Sequence, residues 1–549
     1  MCYSKSDVAL GILPEVGALG EGAKLAAVGK GAELLEKSGG MAQAAKDFDS
    51  FQGGEKVYRS TKRADCRACR EGQATHTSMT QFRHRKANRW TLANEMTDGK
   101  SRGNPWRTWG AMSIALCLLL EPLPPDYAAT KAQDKVGGAH DAGQQGSRPS
   151  EIRLGMSADF TAEARALGIE LFRGAMAYLV PANEAGGVDG QHIVIKAYDD
   201  QSDPDLAIRN TIKLMDQDNV FALFGYVGSP TMNRTLPLLR MRQDKSFLLL
   251  FPFTGAETNR IPPYDRFSFN LRASYDQETS GLVEHFVGIH RTRIAVYYQD
   301  DAYGRAGWAG VRSALARHGL DIAGEATYRR GTPFDQSYDR QVAIMQRVAP
   351  DAVICVATYA AAAGFVRDMR NRGVRCPIAT ISFVGSEAML GLLSAARRSS
   401  DTDYTWQLVS SEVVPSYYDD SIPVVREFRE AMDRNPQVLL PPNSLLYPEG
   451  QTPKHQYAPL RYSFTSLEGY LDAKLLVMIL RRMGHVPQRA GLAAAVIGLG
   501  DFDIGTGQTL SFGGSTGRRQ ASDQIYYSVV KEGRFVPFHE DEWEGWAKP

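Results

Sequence analysis

Between Phe221 and Glu257 the chain reads FALFGYVGSPTMNRTLPLLRMRQDKSFLLLFPFTGAE, a succession of strand, turn, helix, strand and turn. The apolar run Phe221–Phe224 ends at Gly225, and the polar turn Gly228-Ser229-Pro230-Thr231 opens a helical segment. A second apolar run, Phe247–Phe251, ends at Pro252 and leads into Thr254-Gly255-Ala256. Strands joined through a helix lie parallel, and open parallel sheets hold their ligands at the carboxyl ends of the strands. Ser229 and Thr254 offer hydroxyls at those ends, and the helix start offers unpaired N–H groups that suit a carboxylate. The stretch supplies no nucleophile–base pair. It is built to hold a molecule.

The same alternation extends to both sides. Ile152–Met156 reads as a strand and 167–184 as a helix with Leu167, Leu171, Ala175, Tyr178 and Leu179 on one face, closed by Gly186-Gly187. His192–Tyr198 is the next strand, and Asp203-Pro204 announces a helix through Asp216. A second series begins near Ser280, with strands predicted at Ile294–Tyr298, Ile322–Tyr328, Ala352–Ala357 and Pro377–Ile381. The spacing predicts an α/β chain of two doubly wound parallel-sheet lobes with a cleft between the carboxyl ends of their strands. The segment 434–459 reads as a surface loop, and Thr465-x-x-Glu468 as the capping box of a later helix. Short strands are expected at Thr509–Phe512, Gln524–Val530 and Arg534–Phe538.

Composition narrows the function classes. With 549 residues, 43% of them apolar, the chain can bury a large core in two or more domains. A formal net charge of +1 argues against bulk electrostatic binding of nucleic acid or an anionic membrane. Only Cys355 and Cys376 lie beyond residue 150, each in an apolar, strand-like context, and both are expected as buried free thiols. No apolar run reaches the length of about 18 residues that a membrane span needs. Trp109–Leu120, WGAMSIALCLLL, follows Lys100, Arg102 and Arg107 and precedes the small-residue segment Ala128-Ala129-Thr130-Lys131-Ala132. That layout predicts a signal peptide over 96–132 with a start at Met96, which makes 1–95 disordered or mis-assigned upstream sequence. Residues 133–150, rich in Gly, Gln and Ser, read as a linker.

Several chemical motifs are set aside. Cys66-x-x-Cys69 with His76 and His84 matches no usual zinc spacing, so no metal is expected. Gly513-Gly514-Ser515-Thr516-Gly517 has the form of a hydrolase elbow, but Arg518-Arg519-Gln520 follows instead of a helix. No phosphate-binding glycine motif follows a strand, which counts against a nucleotide cofactor.

The motifs that remain carry a family resemblance over residues 151–540. They are IRLGMS, NEAGGVDG, YDDQSDP, FGYVGSPT, FPFTGAE, DDAYGRAG, SFVGSEA, VVPS with IPVVREF, and FTSLEGYLDAK. In number, order and spacing they resemble the substrate-binding proteins of ABC importers, in the leucine/isoleucine/valine-binding branch with the type I periplasmic fold. The resemblance implies crossing segments between lobes made of 151–275 with 412–500 and of 276–411 with 501–549. It implies that Ser229, with Phe253, Thr254 and Gly255, holds a ligand's carboxylate, that Tyr303 and Tyr359 line the cleft, and that Glu387 meets an ammonium. Where relatives that take aliphatic amino acids carry a tyrosine before the first helix, this chain has Leu167-Gly168, which leaves room for other small carboxylates or amides. The expected protein is no enzyme and needs no cofactor. It is a periplasmic carrier that delivers an amino-acid-like or other small ligand to an ABC permease. The alternative is a ligand-sensing domain of the same fold.

Overall fold

The computed structural model describes residues 150–434, 441, 457–513 and 518–547. The signal-like segment, the Cys66–Cys69 pair, the lead-in to residue 149, most of the 434–459 loop and residues 514–517 lie outside the described residues.

Five short, mostly buried strands open the first lobe: β1 (Glu151–Ala158), β2 (His192–Asp199), β3 (Ala222–Phe224), β4 (Leu249–Leu250) and β5 (Ser268–Phe269). They form one parallel sheet in the order β2-β1-β3-β4-β5. Helices α1 (Arg165–Glu184), α2 (Pro204–Asp216) and α3 (Ser229–Met241) connect the first four strands. The start of α2 follows its sequence signal: Asp203 accepts the Asp205 N–H at 2.7 Å, and Pro204 fills the first turn.

The chain then crosses to the second lobe and enters α4 (Tyr275–Gly288). This helix begins five residues before the Ser280 read from sequence, because Ser274 and Gln277 form a capping box ahead of the apolar periodicity. Strands β6 (Ile294–Gln299), β7 (Gly324–Tyr328), β8 (Ala352–Val356), β9 (Ile378–Thr380) and β10 (Leu408–Glu412) alternate with α5 (Ala302–Arg317), α6 (Asp339–Val348), α7 (Tyr359–Asn371) and α8 (Ser386–Arg397). After β10 the chain returns to the first lobe for α9 (Pro423–Arg434), α10 (Phe464–Met483) and α11 (Arg489–Ile497). A two-stranded pair, β11 (Asp501–Phe502) with β12 (Leu510–Ser511), precedes the last crossing to β13 (Tyr526–Lys531) and β14 (Arg534–Pro537). The second sheet has the order β14-β13-β10-β9-β8-β6-β7, with β13 and β14 antiparallel to their neighbours.

The helix expected from Thr465 is capped earlier. The Ser463 hydroxyl accepts the Ser466 N–H and the Ser466 hydroxyl accepts the Ser463 N–H, each at 3.0 Å, which frees Glu468 for another partner. Residues 514–517 of the Gly513–Gly517 motif are not described, so only its flanks are placed. Gly513 and Arg518 pair with each other as an antiparallel bridge. Cys355 and Cys376 are buried free thiols.

Two crossing passages run side by side. The Asn270 N–H donates to the Arg519 carbonyl at 2.8 Å, and the Ala521 and Ser522 N–H groups return bonds to Asn270 and Leu271 at 2.9 and 3.0 Å. In each sheet the strand order reverses beside its first strand, between β1 and β3 in one lobe and between β6 and β8 in the other. The crevice outside such a reversal is where parallel sheets bind ligands. Here the two crevices face each other.

Candidate ligand-binding site

The first wall is the pair of turns after β3 and β4. Gly228 holds φ at 102°, a conformation costly for any side-chain-bearing residue, and it sets Ser229 on the first turn of α3. Ser229 is thus the first residue of the helix rather than its cap. Its Oγ lies 2.8 Å from Thr254 Oγ1, which also accepts the Ala256 N–H at 3.2 Å. Both side chains are fully buried. Gly255 follows, and a Cβ built there would lie 2.3 Å from the Tyr275 ring. Only glycine lets that ring and its backbone approach the turn so closely. The Tyr275 hydroxyl thereby comes within 3.5 Å of Thr254 Oγ1 and within reach of Ser229.

The second wall comes from the other lobe. Tyr303, on the first turn of α5 behind its N-cap Asp301, is fully buried and donates to the Ala357 carbonyl at 3.3 Å. Its ring centroid lies 5.4 Å from that of Tyr275 and 4.7 Å from Phe383, which in turn sits 5.4 Å from Phe253. Ser229, Phe253, Thr254, Gly255 and Tyr303 therefore share one crevice with the lobes closed upon it.

Tyr359 and Glu387 stand on the same second-lobe wall but meet other parts of the first lobe. Tyr359 lies by Gly385 and reaches the Ala166 N–H at the start of α1, in the region where Leu167 packs against Gly385. Glu387 accepts the Phe464 N–H of α10 at 3.0 Å and a hydrogen bond from Tyr417. Removal from water pushes its carboxyl up to about 7. Both residues bind first-lobe helix starts across the cleft.

Sequence reasoning overlooked Tyr275, Phe383 and Arg272. Phe383 lies inside the SFVGSEA motif, and Tyr275 is hidden because α4 begins ahead of the Ser280 start read from sequence. Arg272, almost wholly buried, lies 4.7 Å over the Phe253 ring and 6.0 Å from that of Tyr275. It donates to Ser382 Oγ and lies 3.5 Å from Glu278 and 3.4 Å from Glu468. Glu278 also accepts the Ser382 N–H and the Ser411 hydroxyl, both at 2.7 Å. One guanidinium thus joins both walls to the helices behind them.

The buried carboxyls give stability a pH signature. Burial pushes Glu387 and Glu468 from 4.5 up to about 7, and Asp159, which shapes the loop after β1, from 3.8 up to about 6. The folded state holds these protons more tightly than the unfolded chain. The stabilisation from these groups is complete below the unfolded values and is lost as pH rises through about 6 to 7. The melting temperature should fall by several degrees between pH 5 and pH 8. Calorimetry showing a rise across that window would contradict the assignment.

Residues 151–534 match the model of the periplasmic binding protein family. An amino acid binding protein of Pseudomonas aeruginosa is 23% identical over 228 residues, covering 41% of this chain and 59% of that one. The Leu/Ile/Val-binding protein homolog 1 of Brucella suis is 20% identical over 52% of this chain and 73% of its own length. The chain spans about three fifths of the length of the first curated relatives it matches. A possible leucine/isoleucine/valine-binding protein from Rhodopirellula baltica superposes with a TM-score of 0.61 at 28% identity, covering 73% of this chain and 98% of that one. A branched chain amino acid ABC transporter from Thermus thermophilus with bound valine has a TM-score of 0.60 at 17% identity, over 71% of this chain and 96% of its own, a likeness of fold alone. Two closed lobes, facing crevices and a family match that covers both together carry the assignment: the chain belongs to the periplasmic binding protein family, in its leucine/isoleucine/valine-binding branch.

Proposed function

We propose that the chain captures a small carboxylate or amide solute between its lobes outside the cytoplasm and delivers it to an ABC permease, without chemistry. In this reading lobe 1 comprises 151–275 with 412–500 and lobe 2 comprises 276–411 with 501–549. Ser229, Phe253, Thr254, Gly255, Tyr303 and Tyr359 line the ligand, and Glu387 flanks it. The observation that carries the reading is the buried Ser229–Thr254 hydroxyl pair at 2.8 Å beside Tyr275, whose ring meets Tyr303 and Phe383 of the opposite lobe. Hydroxyls and amide dipoles hold a carboxylate without a fixed opposing charge, so release on opening stays possible. Ligand that bridges both lobes favours the closed form by its differential affinity for that form. No described helix is long and apolar enough to cross a membrane, so membrane contact falls to the permease in this reading.

A thermal-shift panel of amino acids, aromatic acids, amides and short-chain acids tests the proposal. Solute at a hundred times its dissociation constant adds about 2.7 kcal/mol of apparent stability. Ser229→Ala should weaken a carboxylate hit by about ten- to a hundredfold, as expected for a lost hydrogen bond to a charged group. A panel with no stabilising solute would count against a carrier role.

A further inference from the structure

The strands that feed the crossings, β5, β10 and β13, stand toward one side of their sheets, and β2 and β7 form the opposite edges. When two lobes swing about such crossings, the loops after β2 and β7 travel farthest. Those two loops touch. Arg330, two residues beyond β7, donates from Nη1 to the Ser202 carbonyl in the turn after β2. Asp301 holds the same guanidinium on its own lobe, its Oδ2 lying 3.0 Å from Nε and 2.8 Å from Nη2. Asp301 is also the N-cap of α5, where its Oδ1 accepts the Tyr303 N–H at 2.9 Å. One carboxylate therefore sets both the cleft-wall tyrosine and the arginine that reaches across. Gly331 follows, and a Cβ built there would lie 3.8 Å from the Glu163 carboxyl in the loop after β1. On the receiving side, Gln201 and Ser202 hold φ at 53° and 57°, a left-handed turn that is costly for residues with a Cβ. Asp200 accepts the Ser202 N–H at 3.0 Å and Asp159 accepts the Ser202 hydroxyl at 2.8 Å, which fixes the turn that presents the carbonyl.

We propose that Arg330 is a latch on the outer rim of the cleft, a positioning residue that slows solute release by holding shut the edge farthest from the crossings. The inference rests on the carrier reading above and adds to it the control of opening. Asp301 stays with Arg330 on the second lobe, so opening the rim gives up one charge-assisted hydrogen bond and strands no ion. The latch therefore lengthens retention without making closure irreversible. Its link to the wall runs through Asp301, which ties the Tyr303 backbone to the rim.

Hydrogen–deuterium exchange on the full-length chain without added solute reads each rim separately. Arg330→Gln should speed exchange in the first-lobe turn 199–203 by roughly three- to tenfold, as expected for a charged hydrogen bond partly open to solvent. Arg330→Lys keeps a cation beside Asp301, but one ammonium cannot also span to Ser202. It should show the same rise in 199–203 with exchange at Tyr303 unchanged, which separates a latch from a mere support of the α5 cap. For the panel solute that stabilises the parent most, stopped-flow release should quicken by roughly three- to tenfold in both variants, with association within about twofold of the parent. Unchanged exchange in 199–203 in both variants overturns the latch, and so does an unchanged release rate. If no solute in the panel binds, the carrier reading has failed, and the exchange result alone decides whether Arg330 holds the rim.

Discussion

Arg272→Met should lower unfolding stability by about 3–5 kcal/mol, the usual cost of removing one partner from a buried ion pair. The methionine stem fills much of the same space, so the loss comes from charge and hydrogen bonding rather than from a cavity. Glu468 would lose its cation at 3.4 Å, Glu278 would lose one at 3.5 Å, and Ser382 Oγ would lose its donor. Burial already raises the Glu278, Glu468 and Asp472 carboxyls, Asp472 well above its ordinary range, and without Arg272 they should rise further and stay protonated. Arg272→Lys should recover only part of the loss, because an ammonium cannot keep Ser382, both carboxylates and the Phe253 face together. Denaturant unfolding of the three proteins at neutral pH gives the comparison. A methionine variant as stable as the parent would show that the guanidinium is not what joins the two walls.

The same residue marks where sequence reading stops. The strand and helix alternation is legible because each β-run is short, apolar and ended by glycine, proline or a capping residue. The parallel sheets follow from that pattern. That Ser229 and Thr254 are neighbours is legible because each follows the carboxyl end of one of two adjacent parallel strands. Arg272 and Tyr275 are not legible: Arg272 lies in a crossing segment without helical or strand periodicity, its partners Glu278, Ser382 and Glu468 include residues distant in sequence, and Tyr275 opens α4 ahead of the start read from sequence. Glu387 shows a subtler limit. Its place on the second-lobe wall follows from a motif, but its bond to the Phe464 N–H depends on where α10 begins. The sequence signal misplaces that start, because Ser463 caps the helix ahead of the Thr465-x-x-Glu468 pattern.

Gly174→Ala should cost about 3 kcal/mol or more, although alanine is favoured over glycine in a helix interior by about 1 kcal/mol. A Cβ at Gly174 would lie 1.8 Å from the Ser466 carbonyl oxygen, and one at Gly469 would lie 2.1 Å from that of Leu171. Helices α1 and α10 therefore cross backbone against backbone, and no rotamer change can relieve an added methyl. The helices would have to separate, which moves the first turn of α10. That turn carries the Phe464 N–H that Glu387 holds and, one turn later, the Glu468 that faces Arg272. Ligand affinity should fall together with stability, because the closed lobes lose two of their ties at once. Gly391→Ala is the control: it lies on the exposed side of α8 with nothing within 4 Å of an added methyl, and it should be neutral or stabilising by about 0.5–1 kcal/mol. Equal effects from the two substitutions, measured by thermal and denaturant unfolding, would mean that the helix crossing tolerates a methyl and that its closeness does not set the geometry of the cleft.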